Sequence, residues 1–154
     1  MEVLRPSRAQ PRAGDVFALR LDGLFRFGRV ISTDAMAGWN MTGARLIYVF
    51  RHTATQAAVP DRVEMTPEQL LVPPLMTNNL PWSRGYFRTL INLPIEAGEA
   101  LPRHCFRAST GRYYDDMAKE LPGPIEPVGE WGLQSYRSID DVLSSALGLP
   151  LAPE

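Results

Sequence analysis

Proline limits what this chain can fold into. Fourteen of its 154 residues are proline. Each lacks an amide hydrogen and fixes φ, so each interrupts a helix or a central strand. A bundle of long helices is excluded. The longest uninterrupted apolar stretch, Leu46 to Phe50, falls far short of the roughly 20 residues that span a bilayer. Residues 1–14 carry positive charge but no apolar run, which predicts no signal peptide. The length suits one domain, and with 45% hydrophobic and 21% charged residues the chain can form a sizeable core.

Within those limits the chain reads as mostly β (α+β). Val16–Leu21 and Leu24–Ile31 are rich in β-formers and flank Asp22-Gly23. Such a pair closes a tight hairpin, because glycine supplies the positive φ of a primed turn. Arg26 and Arg29 interrupt apolar neighbours, which predicts one face in solvent, and Gly28 marks a bulge or a close backbone approach. Residues 34–44, with Trp39 inside, read as a loop. Arg45–Arg51 reads as a central strand buried on both faces. Thr66-Pro67 opens a short helix near 66–71, ended by Pro73-Pro74. Further strands are expected at 85–93, 104–107, 112–114 and 131–136. Ser138 is placed to cap a C-terminal helix at the amide of Asp141, with Asp140 and Asp141 at its positive end and Gly148 as its C-cap. The expected architecture is a twisted antiparallel sheet, barrel-like in its curl, with that helix over one face. Residues 1–13 read as a flexible tail, 14–150 as one domain and 151–154 as a second tail. The predicted core is Phe17, Leu19, Val30, Leu46, Tyr48, Phe50, Phe87 and Leu90, with Val142, Leu143 and Leu147 packed on it.

The charge is uneven. The whole chain carries −1, and residues 115–154 hold two basic and eight acidic side chains, a net of −6. That segment is either a solvated face or a docking surface for a basic partner. Cys105 is the one cysteine, so no intramolecular disulfide and no multi-cysteine zinc site can form. One thiol fits a reducing cytosol.

No catalytic pattern emerges. His52, His104, Cys105, Asp115 and Asp116 are the candidates for a cluster. Adjacent His104 and Cys105 on a strand point to opposite faces and cannot pair as base and nucleophile. Cys105 reads as a small core residue, His104 as an exposed or singly bonded strand residue, and Asp115-Asp116 as a turn more readily than as a cation site. No phosphate-binding glycine loop and no nucleophile elbow is present. The chain is therefore expected to be a binder and not an enzyme, with no cofactor. An alternative is a small barrel that binds nucleic acid through Arg20, Arg26 and Arg29. The missing positive excess argues against it.

Several segments resemble one family in their order along the chain. Gly14-Asp15-Val16-Phe17-Ala18-Leu19-Arg20-Leu21, followed by Phe27-Gly28-Arg29-Val30, resembles the start of the bacterial immunity protein 26 family. Leu46–Phe50, Pro81–Phe87, Gly111–Asp116, Gly129–Tyr136 and Ile139-Asp140-Asp141 are similar to its later parts, over about residues 12–149. The resemblance implies an antitoxin of a polymorphic toxin system, made beside a secreted toxin and neutralising it in the cytoplasm. It implies no catalytic residues and supplies no contact residues. The partner would be the C-terminal domain of the cognate toxin, with no membrane involved. The loop carboxylates Asp115, Asp116, Glu120, Glu126 and Glu130 are the candidate contacts, with Trp131 as an aromatic anchor if exposed.

Overall fold

The computed structural model describes residues 1–153. The chain is mostly β, in two sheets with one main helix. Ten strands run in order as β1 (Asp15–Leu21), β2 (Leu24–Ala35), β3 (Ala44–Ala54), β4 (Leu75–Thr77), β5 (Arg88–Asn92), β6 (Cys105–Arg107), β7 (Tyr113–Tyr114), β8 (Glu120–Leu121), β9 (Val128–Glu130) and β10 (Leu133–Gln134). The helices are α1 (Leu80–Ser83) and α2 (Tyr136–Leu147). The larger sheet has the order β10-β4-β3-β2-β1-β5 and the smaller β8-β7-β6-β9. Both are open. Pairing is antiparallel except for β10 with β4 and β6 with β9.

The hairpin forms as its turn chemistry dictates. Leu21 pairs with Leu24, and Asp22 and Gly23 take φ of 55° and 76°. β3 is the central strand, and its alternation divides the core. Ile47 and Val49 join Phe17, Leu19, Val30, Trp82 and Phe87 on one face, where Ile139 and Leu143 of α2 cover them and Val142 and Leu147 pack at the margin. Leu46 faces the smaller sheet with Met76 and Phe106. Tyr48 and Phe50 meet Val16, Met65 and Leu70. Every predicted strand residue of the core is buried except Leu90, which is half-buried because β5 is a sheet edge.

Several local expectations shift. The short helix is two 3-10 turns, Arg62–Met65 and Pro67–Gln69. The chain turns at Gly85, so the fourth expected strand begins only at Arg88. The last expected strand shrinks to β10, because the helix begins a turn early. Ser135, not Ser138, is the N-cap, and its hydroxyl accepts the Ser138 amide at 3.1 Å. Tyr136 thereby enters the helix and stacks on Tyr86 at 4.9 Å. Asp140 then lies past the first turn, where it accepts from the Ser144 hydroxyl and pairs with the Met1 ammonium group. Gly148 is the left-handed C-cap, as expected. Residues 1–13, expected as a flexible tail, form no regular element but bond to the body of the protein, with Glu2 N donating to Arg20 O of β1 and Ser7 N to Trp82 O of α1.

Arg29 overturns the solvent-facing reading of β2. The strand lies inside the sheet, and the segment Leu93–Leu101 closes over its Arg29 face. Arg29 is 0% exposed. It donates to Glu99 Oε1 at 3.0 Å and to the carbonyls of Leu93 and Pro94 at 2.6 and 3.0 Å. Arg62 reaches the same Glu99 oxygen at 2.6 Å. Arg26 is also buried. No described helix is long and apolar enough to cross a membrane.

Candidate partner-binding surface

The six expected contact residues lie in and beside the smaller sheet, but they do different things. Asp115 is committed to its own turn: Oδ1 accepts the amides of Met117 and Lys119 at 2.9 and 3.0 Å. This is the side-chain turn that aspartate makes readily. Asp116 ties that turn to the body of the protein. Its carbonyl accepts Met36 N at 2.8 Å, and its carboxylate lies 3.8 Å from His104 Nδ1. Glu120 and Glu130 are exposed; Glu120 lies 3.4 Å from Arg112, and Glu130 pairs in register with Arg107. Glu126 is exposed ahead of β9 and has no ion-pair partner among the described residues.

Trp131 is half-buried. Its Nε1 donates to Met36 O at 3.3 Å, and its ring stacks on Tyr114 with centroids 4.0 Å apart. Trp39, which the sequence placed in a loop without a role, stands edge-on to both rings at 5.1 and 5.4 Å. It is 61% exposed. Met41, Met117 and Leu133 expose apolar surface on the adjoining segments. The arrangement is a rigid stacked pair with a third aromatic presented on it. A large side chain held this way loses little entropy on binding, which is why such residues dominate interfaces. An indole inside a polar, glycine-bearing loop was the sequence signal for it.

The catalytic candidates are packed away. His104 is buried, not exposed, because it precedes β6 and turns under the 115–119 loop. Tyr48 OH accepts the Leu101 amide at 2.9 Å and shares a second hydrogen bond with His104 Nε2 at 2.7 Å. Burial lowers the His104 pKa, against the pull of Asp116 and Asp115. Burial likewise pushes the Tyr48 phenol up to about 12. Cys105 is buried and lies 3.4 Å from Ile125 N. His104→Ala should destabilise the fold by about 1–3 kcal/mol, by leaving the Tyr48 hydroxyl unsatisfied, and leave partner binding intact. Chemical denaturation beside a binding assay checks both. No group of three or more His, Cys, Asp or Glu among the described residues could hold a metal ion.

A comparison with family models decides the family. The sequence model described as Immunity protein 26 matches residues 12–114, well over half the chain. The chain belongs to the immunity protein 26 family. The match spans β1 to β7 and ends short of the expected residue 149, so the turn at Asp115 and all that follows lie beyond it. No curated protein and no solved structure matches significantly. Membership makes the chain an immunity-type protein, of a kind that in general binds a toxin and is not an enzyme.

Proposed function

We propose that the chain neutralises a cognate polymorphic toxin in the cytoplasm by direct stoichiometric binding to the toxin's C-terminal domain. Family membership over residues 12–114 carries the reading. The Trp39–Tyr114–Trp131 cluster and the loops from 115 to 131 supply a matching face: an exposed aromatic anchor with carboxylates beside it. Many toxin domains that attack nucleic acid are basic because their substrates are polyanions, and carboxylates would steer such a partner. The nucleic-acid alternative loses its proposed face, since Arg26 and Arg29 are buried and Arg20 pairs with Glu2 at 3.2 Å.

Co-expression with the toxin domain encoded beside its gene tests the reading. Growth should be restored, and the purified pair should bind with equal stoichiometry. Unrestored growth with both proteins folded would sink it. Charge reversal tests the face. Asp115 is left alone because its carboxylate holds a turn. Glu120→Lys, Glu126→Lys and Glu130→Lys together should slow association roughly tenfold at low salt, and less as salt screens the charges. Stopped-flow association rates at two ionic strengths measure this. An unchanged rate at low salt places the interface elsewhere.

A further inference from the structure

A second concave site lies away from the Trp39 face. The segment from Arg5 to Arg12 arches beside the free edge of β5 and encloses a cleft of about 460 Å³. Both ends of the arch are pinned. Leu4 N and Arg5 N both donate to Gly85 O, at 2.7 and 3.2 Å. At the other end Arg12 N donates to Asp15 Oδ2 at 2.8 Å, and Asn92 Nδ2 to Ala13 O at 2.9 Å. The first anchor requires a glycine. A Cβ at Gly85, where φ is +86°, would sit 2.7 Å from Pro6 N and 2.9 Å from the Arg5 carbonyl carbon. Those are backbone atoms and cannot swing aside.

Arg5, Arg12 and Arg88 line this cleft, and all three are exposed. None has a carboxylate partner within ion-pair distance among the described residues. The one carboxylate in the wall is Asp15, and it is spent on neighbours: Oδ2 takes the Arg12 amide and Oδ1 takes Asn92 Nδ2 at 2.8 Å. Three arginines thus line one concavity without an ion-pair partner, in a chain whose formal charge is −1. Concave walls focus such a potential. Guanidinium forks match the oxygens of phosphate two at a time. One carboxylate would balance only one of the three, whereas linked phosphates can engage them all. Ile91 and Pro6 add apolar wall for the uncharged part of a ligand. The volume falls within the roughly 300–1,000 Å³ of small-ligand sites.

We propose that this cleft binds a phosphate-bearing anion, anchored by Arg5, Arg12 and Arg88. The site does not depend on the toxin-binding reading. Titration of the full chain with inorganic pyrophosphate at low salt, followed by calorimetry, tests it. Saturable binding is expected. Arg5→Gln with Arg88→Gln should weaken it by at least about tenfold, the effect of losing roughly 1.4 kcal/mol. Gly85→Ala, which displaces the arch without touching a charge, should weaken it as well. Arg20→Gln, outside the cleft and paired with Glu2, should leave it unchanged. Melting curves verify that each variant is folded. Displacement of pyrophosphate by ADP assigns the cleft to a free phosphorylated molecule; displacement only by a single-stranded oligonucleotide assigns it to a nucleic-acid backbone. No saturable pyrophosphate binding, or binding undiminished in the folded double arginine variant, overturns the proposal.

Discussion

Glu99→Ala should destabilise the protein by about 3–5 kcal/mol, the range for removing one partner of a buried ion pair. The reason lies on the other side of the pair. Arg29 is fully buried inside the sheet, and without Glu99 its charge keeps only the carbonyls of Leu93 and Pro94. Arg29→Met with Glu99→Leu should recover most of the loss, because apolar replacement of both partners removes the desolvation penalty together with the attraction. Acid should mimic the single variant. Burial works to raise the Glu99 pKa, but the Glu96 amide and the Arg62 and Arg29 guanidinium groups outweigh it and hold the carboxyl below 4.5. A carboxyl lowered on folding contributes its stability above its unfolded value and loses it as the pH falls through the folded one. The gap between wild type and Glu99→Ala should therefore narrow as the pH falls below about 4.5. Denaturant midpoints from neutral pH to pH 3 measure it. A loss under about 1 kcal/mol at neutral pH would mean that the pair is solvated and not buried.

Trp39→Ala should weaken toxin binding by about 2–4 kcal/mol, the effect of removing a central aromatic anchor. That is a rise in Kd of roughly 30- to 1,000-fold. Folding should suffer by only about 0.5–1.5 kcal/mol, the worth of its edge-on contacts with Tyr114 and Trp131. Trp131→Ala is the informative contrast. It removes the stacked support and the bond to Met36 O, so binding and stability should fall together. Titration calorimetry and thermal melts on the two variants separate presentation from support. Wild-type affinity in folded Trp39→Ala would remove this face from the interface.

The parts legible in the sequence were those governed by short-range rules. Asp22-Gly23 specified its hairpin because few residue pairs tolerate two positive φ values in succession. The continuous apolar run Leu46–Phe50 specified a strand buried on both faces, and alternate residues of it pack on opposite sides. The family was legible in the same way, since residues 12–114 hold the hairpin and the central strand. Ser138 was the expected cap of α2, but Ser135 has the same capping chemistry and takes the position. The choice fell to the packing of Tyr136 on Tyr86, a contact between distant positions.

The sequence by itself determined a mostly β immunity-family chain with one C-terminal helix, and it located the acidic segment. Tertiary structure alone decided what the individual charges and aromatics do. Arg26 and Arg29 follow a polar-out pattern, yet both are buried, and the Leu93–Leu101 segment closes over Arg29. Asp115 reads both as a turn residue and as a candidate contact, and two backbone amides commit it to the turn. Trp131 reads as the anchor, yet it lies beneath Trp39, some 90 residues away along the chain. Burial and pairing depend on which segments meet in space, and periodicity and turn chemistry report only on near neighbours.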